Sequence, residues 1–118
     1  MADAKAVERL ILDYFHSWQE PSDFDAFRAC LADDIAFDGG AMKIEGADAL
    51  TDMIKQTGSP WQDVTLLASI FNEDGGALFY DGAEKQSGTQ MRVAEHITVT
   101  DGRISRVIAA ISQTPPQG

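Results

Sequence analysis

The sequence holds a single cysteine, Cys30, and two histidines, His16 and His96. One thiol cannot close an internal disulfide, and so few cysteines and histidines cannot assemble a structural zinc cluster. Basic residues are scarce too: nine Lys and Arg stand against nineteen Asp and Glu, a formal net charge of −10. A surface this negative repels phosphate backbones and anionic headgroups, so no nucleic acid and no membrane is expected as a partner. No apolar run approaches the roughly 20 residues that cross a bilayer. Asp3, Glu8 and Asp13 interrupt the N-terminus, which leaves no apolar stretch of ~7–15 residues for a signal peptide. A cytoplasmic location is the expectation. The acidic pairs Asp33-Asp34 and Asp23/Asp25 have no histidine or inward acid beside them, and they read as helix-terminal surface charge. No metal and no cofactor is expected.

What is present suits one globular domain: 118 residues, 44% hydrophobic and 24% charged. The domain is expected over residues 1–112, with Gln113-Thr114-Pro115-Pro116-Gln117-Gly118 as a tail that frays. Val7, Leu10, Ile11, Tyr14, Phe15 and Trp18 recur with helical spacing and predict an amphipathic first helix. It breaks at Glu20-Pro21, because proline disfavours helix in the preceding residue. Ser22 with Asp25 resembles a capping box, and Phe24, Phe27 and Leu31 then line one face of a short second helix. Ile35 to Ile44 reads as a small hairpin about Gly39-Gly40. Ala47, Leu50, Met53 and Ile54 predict a third helix between Gly46 and Gly58.

Beyond Pro60 the pattern becomes β. Val64–Phe71, Ala77–Tyr80, Gln90–Thr100 and Arg103–Ile111 are rich in β-branched and aromatic residues and are separated by turn signals, the pattern of a four-strand antiparallel meander. Helices segregated before a sheet imply an α+β layout, with the curved sheet wrapping its apolar face around them.

The period of two from Met91 to Thr100 sets Met91, Val93, Glu95, Ile97 and Val99 on one face. A carboxyl amid apolar neighbours is desolvated, so its pKa rises and it can persist as a protonated hydrogen-bond donor. Glu95 is therefore a candidate acid; a bulge that turns it outward, or pairing with Arg106 on a neighbouring strand, is the structural alternative. His96 falls on the opposite face with Arg92, Ala94 and Thr98, and His16 lies off the apolar stripe of the first helix; both read as exposed to solvent or as subunit contacts. Tyr14 lies within that stripe, where a buried hydroxyl needs a partner such as Glu95 or else points to the rim. Trp18 suits either the core or a cavity wall, and Trp61 either a pocket mouth or a loop staple. Asp38, before Gly39-Gly40, is an ordinary turn residue that bonds its own backbone, or else a general base at the rim of a pocket.

Tyr14-Phe15-His16-Ser17-Trp18, Asp23-Phe24-Asp25-Ala26-Phe27, Leu31 to Phe37, Gly46-Ala47-Asp48-Ala49-Leu50 and Ala94-Glu95-His96 through Asp101-Gly102-Arg103-Ile104 occur in that order over nearly the whole chain. Their order and spacing resemble a nuclear transport factor 2-like domain of the SnoaL-like polyketide cyclase and ketosteroid isomerase branch. The resemblance implies a cone-shaped, cystatin-like α+β barrel, in which three N-terminal helices pack in the concave face of a curved, mostly antiparallel sheet. It also implies an apolar pocket and a homodimer formed through the outer sheet face. Ketosteroid isomerases use a tyrosine and a protonated acid as an oxyanion hole and an aspartate as base. Tyr14 falls on the tyrosine position and Glu95 on that of the acid, with one methylene more than an aspartate. The position of the base lands on Gly39, one residue after Asp38.

Two functions follow as expectations. One is an isomerase- or cyclase-type enzyme moving a proton on a small hydrophobic carbonyl compound, with Tyr14 and Glu95 donating to the oxyanion and Asp38 as base. The other is a non-catalytic module that binds a small hydrophobic molecule or a protein partner. Trp18, Phe37, Met53, Trp61, Tyr80 and Ile97 are the candidate substrate-binding side chains. The two readings separate on whether the carboxyls of Asp38 and Glu95 enter one cavity with Tyr14.

Overall fold

The computed structural model describes residues 3–19, 21–59 and 61–113. Glu20, Pro60 and residues 114–118, on which the expected helix break, the entry to the sheet and the tail partly rest, lie outside the described residues. The chain runs α1 (Ala4–Ser17), α2 (Phe24–Ala29), β1 (Leu31–Asp38), β2 (Lys43–Glu45), α3 (Ala47–Thr57), β3 (Trp61–Asn72), β4 (Gly75–Glu84), β5 (Gln90–Thr100) and β6 (Arg103–Gln113).

Helix α1 starts where the Asp3 carboxylate accepts the Ala6 N–H at 2.7 Å, and it buries Val7, Ile11, Tyr14 and Phe15 as its stripe requires. At α2 the cap differs from expectation. Asp23, not Ser22, accepts the Ala26 N–H, while the Ser22 hydroxyl donates to the Trp18 carbonyl. An aspartate serves this position as well as a serine, so two adjacent candidates are resolved only by the backbone. Leu31 is not on that helix but opens β1. Helix α3 is bounded by Gly46 at φ 99 and Gly58 at φ 70, conformations that glycine adopts without strain. No helix is long and apolar enough to cross a membrane among the described residues.

All the strands join one sheet in the order β2-β1-β6-β5-β4-β3, curved but not closed. The expected meander is present as β3 to β6, each neighbour antiparallel. The small hairpin joins the same sheet, because β1 pairs parallel with β6. Edge strand β3 shifts register twice, between Gln62 and Thr65 and between Leu66 and Ala68, and Asp63 takes a φ of 53 at the first shift. Such bulges bend a strand and sharpen its twist, here beside Trp61.

The helices lie on the inner face of the sheet. Val7, Ile11 and Phe15 of α1, Phe27 of α2 and Leu50 of α3 share a continuous core with Ile35, Leu78, Val93, Ile97, Ile104 and Val107 of the strands. Ile104 and Val107 are three apart yet both buried, because the ladder slips at Thr98/Val99 and adds a residue to β6. On the outer face Phe79 and Ile108 stand exposed.

Candidate functional site

Strand period places the acid. On β5, Val93, Glu95 and Ile97 are buried while Arg92 and His96 are exposed, so neither the outward bulge nor the pairing with Arg106 occurs. Glu95 is only 5% exposed. Its carboxyl is held from two sides: the Tyr14 hydroxyl lies 2.9 Å from Oε1, and the Tyr80 hydroxyl lies 2.5 Å from Oε2.

The two tyrosines arrive by different routes. Tyr14 comes down from α1, its ring stacked on Phe27 at 5.6 Å. Tyr80 is a neighbour within the sheet: it pairs with Val93 and Leu78 pairs with Glu95, so Tyr80 reaches the carboxyl along the diagonal of an antiparallel ladder. Phe15 and Trp18 pack on the Tyr80 ring at 5.1 and 5.7 Å. The residue opposite Glu95 on β6 is Ala109, whose small side chain leaves open space in front of the carboxyl.

That space is a cavity of about 360 Å³. Tyr80, Val93, Glu95, Ala109 and Ile111 form its floor on the sheet. Tyr14 of α1 and Trp18 at its C-cap, Phe27 of α2, and Leu50, Met53, Ile54 and Thr57 of α3 form the helical wall. Phe37, Gly39, Ala41 and Met42 of the β1–β2 hairpin, with Trp61, complete it. Among the described residues the lining holds no Lys, Arg or His, and Glu95 is its one carboxyl.

Burial drives the ionisation of this cluster. It pushes the Glu95 carboxyl up, and the hydrogen bonds from Tyr80 and Tyr14 offset this only in part. Burial also pushes both phenols well up, and the nearby charge of Glu95 adds to that. Burial thus disfavours the charged form of each member of the cluster, an acid and two phenols facing an apolar space.

Of the sequence candidates, Tyr14, Glu95, Trp18, Phe37, Met53, Trp61 and Tyr80 meet at this cavity. Ile97 does not. It is fully buried in the core two residues beyond Glu95, opposite Gly76, where Ile11 of α1 covers the sheet. Asp38 does not line the cavity either. Its carboxylate accepts the Gly40 N–H at 2.9 Å, the ordinary turn arrangement, and strand alternation sends Phe37 and Gly39 inward and Asp38 away. Sequence reasoning missed Ala109 and the contact of Tyr80 with Glu95. Both depend on the register between strands, for which the only advance signal was the shared inward parity of the positions. Among the described residues no group of three or more His, Cys, Asp and Glu gathers as a metal would require.

Residues 11–107 match the SnoaL-like domain family. In fold the chain is similar to a candidate ketosteroid isomerase from Kribbella flavida, with a TM-score of 0.84 at 20% identity over 100% of this chain and 87% of that one. It is also similar to an NTF-2 like protein of unknown function from Burkholderia xenovorans, with a TM-score of 0.81 at 14% identity over 97% and 88% of the two chains. An LEH-like epoxide hydrolase from M. tuberculosis superposes with a TM-score of 0.80 at 18% identity over 92% and 84%. No curated protein matches the chain by sequence.

Proposed function

The chain belongs to the SnoaL-like domain family, and we propose that it uses this fold to bind a small, mostly apolar molecule in the cavity, with the molecule's polar end against Tyr14, Glu95 and Tyr80. The observation that carries this reading is the lining: apolar walls converging on one buried, doubly hydrogen-bonded carboxyl. An apolar body loses nothing on entering such walls, and a few placed polar groups fix its orientation.

The enzyme reading has less support. Moving a proton on carbon requires a base within hydrogen-bond reach of the substrate. Asp38 is turned to its own loop, and Gly39 occupies the cavity-facing position where a base would stand. Ketosteroid isomerase chemistry, suggested by the name of the Kribbella flavida neighbour, is supported here as far as its hydrogen-bonding end and no further. We read the protein as a binder of hydrophobic metabolites in preference to a proton-transfer enzyme.

The test uses 2-ethylnaphthalene, a compact apolar probe whose fluorescence reports burial, on the wild type and on Ile111→Trp. Ile111 lines the cavity but is 48% exposed, so the larger ring should not disturb the core. Saturable binding to the wild type that weakens about tenfold or more in Ile111→Trp is expected, as for a steric loss above ~1.4 kcal/mol. Equal binding by both proteins would place the probe elsewhere and remove the basis for the proposal.

A further inference from the structure

Hydrogen-bond donors around the cavity are unevenly committed. The phenols of Tyr14 and Tyr80 donate to Glu95 at 2.9 and 2.5 Å, and the Thr57 hydroxyl donates to the Met53 carbonyl at 2.8 Å. Trp18 and Trp61 line the same space, and an indole N–H is a donor only. The Trp18 carbonyl accepts from Ser22, and Trp61 bonds Ser59 through its backbone N–H and carbonyl. Among the described residues neither indole N–H has an acceptor.

The two indoles differ in their surroundings. Trp61 is half-buried, so water can serve its N–H. Trp18 is only 6% exposed, and its ring packs on Phe15 at 5.5 Å and on Tyr80 at 5.7 Å. A tryptophan N–H buried to this degree ordinarily has a partner. Among the described residues no side-chain nitrogen or oxygen that is closed off lacks one, so the Trp18 N–H opens onto space. The space that this side chain lines is the cavity.

We propose that Trp18 is a specificity-determining residue: its indole N–H takes an acceptor oxygen on the body of the ligand, apart from the polar end held by Tyr14, Glu95 and Tyr80. The cavity thereby suits an oxygenated apolar molecule of the ether class better than a hydrocarbon of the same shape. This rests on the reading that the cavity binds a small apolar molecule. An ether oxygen accepts one hydrogen bond and brings no hydrogen of its own that would need a partner. Entering apolar walls costs that oxygen its water, and the indole N–H offsets the loss while gaining the acceptor it lacks. A group that only donates, such as an ammonium, finds no acceptor at this indole.

The experiment compares 2-ethylnaphthalene with 2-methoxynaphthalene, in which an ether oxygen replaces one methylene and the shape is kept, on nitrogen-15-labelled protein. The chain has two tryptophans, so its proton–nitrogen correlation spectrum carries two indole signals, and Trp61→Phe assigns them. Saturating 2-methoxynaphthalene is expected to hold the Trp18 indole proton downfield of its position with 2-ethylnaphthalene, whose ring currents are the same. The Trp61 signal should differ little between the two probes. In Trp18→Phe the affinity for the ether relative to the hydrocarbon should fall about threefold to tenfold, the increment of one hydrogen bond. If both probes saturate and leave the Trp18 proton in one place, or if the Trp61 proton moves instead, the proposal is overturned while the cavity reading stands. Should the hydrocarbon itself fail to bind, the cavity reading falls, and this inference with it. If Trp18→Phe does not fold, the wild-type spectra decide alone.

Discussion

The middle of β5 and the tip of the β1–β2 hairpin each carry a carboxyl beside an apolar neighbour. Glu95 has the parity of Val93 and Ile97, faces inward, loses water and holds two phenols. Asp38 has the opposite parity to Phe37 and Gly39, faces away, and closes its own turn through Gly40. A shift of one residue along a strand, about 3.3 Å, thus separates a buried hydrogen-bonding group in a cavity from a solvated turn residue. Parity decides the environment, and burial at Glu95 raises the cost of its charged form.

The largest expected effect breaks the buried side of this contrast. Glu95→Leu keeps similar volume but leaves two buried tyrosine hydroxyls without their partner, a cost of roughly 2–6 kcal/mol at ~1–3 kcal/mol per unsatisfied group. Urea denaturation measures it. The triple variant Tyr14→Phe, Tyr80→Phe, Glu95→Leu removes both sides of each bond and should recover most of that loss. A Glu95→Leu protein as stable as the wild type would mean that the cluster contributes nothing to the fold.

The next effect concerns pH. Burial raises the Glu95 pKa in the folded chain above its ordinary ~4.3, so the native state holds this proton more tightly than the unfolded state. Its contribution to stability is complete below the unfolded pKa and is lost as pH rises through the folded value. The loss is about 1.36 kcal/mol for each unit separating the two. Glu95→Gln has no such proton to lose, and its stability should stay flat over that window where the wild type declines. Parallel pH profiles for the two proteins would show that Glu95 ionises at an unshifted pKa.

Much of this was legible in the amino-acid order, for reasons that particular residues make plain. The apolar stripe from Val7 to Trp18 and the glycines at 46 and 58 act within a few residues, so α1 and α3 could be read locally. The alternation around Glu95 likewise needed only its own strand. The pairing of β1 with β6 was not legible, because parallel partners are joined by no hairpin turn, and Leu31-Ala32-Asp33-Asp34 shows no strand alternation. The bond from Tyr80 to Glu95 and the open space over Ala109 depend on the β4–β5 and β5–β6 registers, which residue types alone do not set. Ile97 shared the parity of Glu95 but not its depth along the strand, and parity carries no information about where a helix covers the sheet.

The smallest effect sharpens the exposed side. Asp38→Ala removes one hydrogen bond at the hairpin tip, worth about 0.5 kcal/mol in so exposed a turn, and should leave the affinity for 2-ethylnaphthalene unchanged. Gly39→Asp moves the carboxyl one residue, onto the cavity wall. A Cβ at Gly39 would lie 3.3 Å from Phe37 Cε1, so the ring must give by a few tenths of an ångström, and Gly39 is not among the glycines with positive φ. The fold should survive, and the affinity for 2-ethylnaphthalene should fall severalfold as the new carboxylate ionises beside an apolar ligand. Binding and stability measured for both variants at pH 5.5 and 8 check this. If Asp38→Ala weakens binding as much as Gly39→Asp does, the side chain of Asp38 reaches the ligand after all, and the parity that separates the two carboxyls does not hold at the hairpin tip.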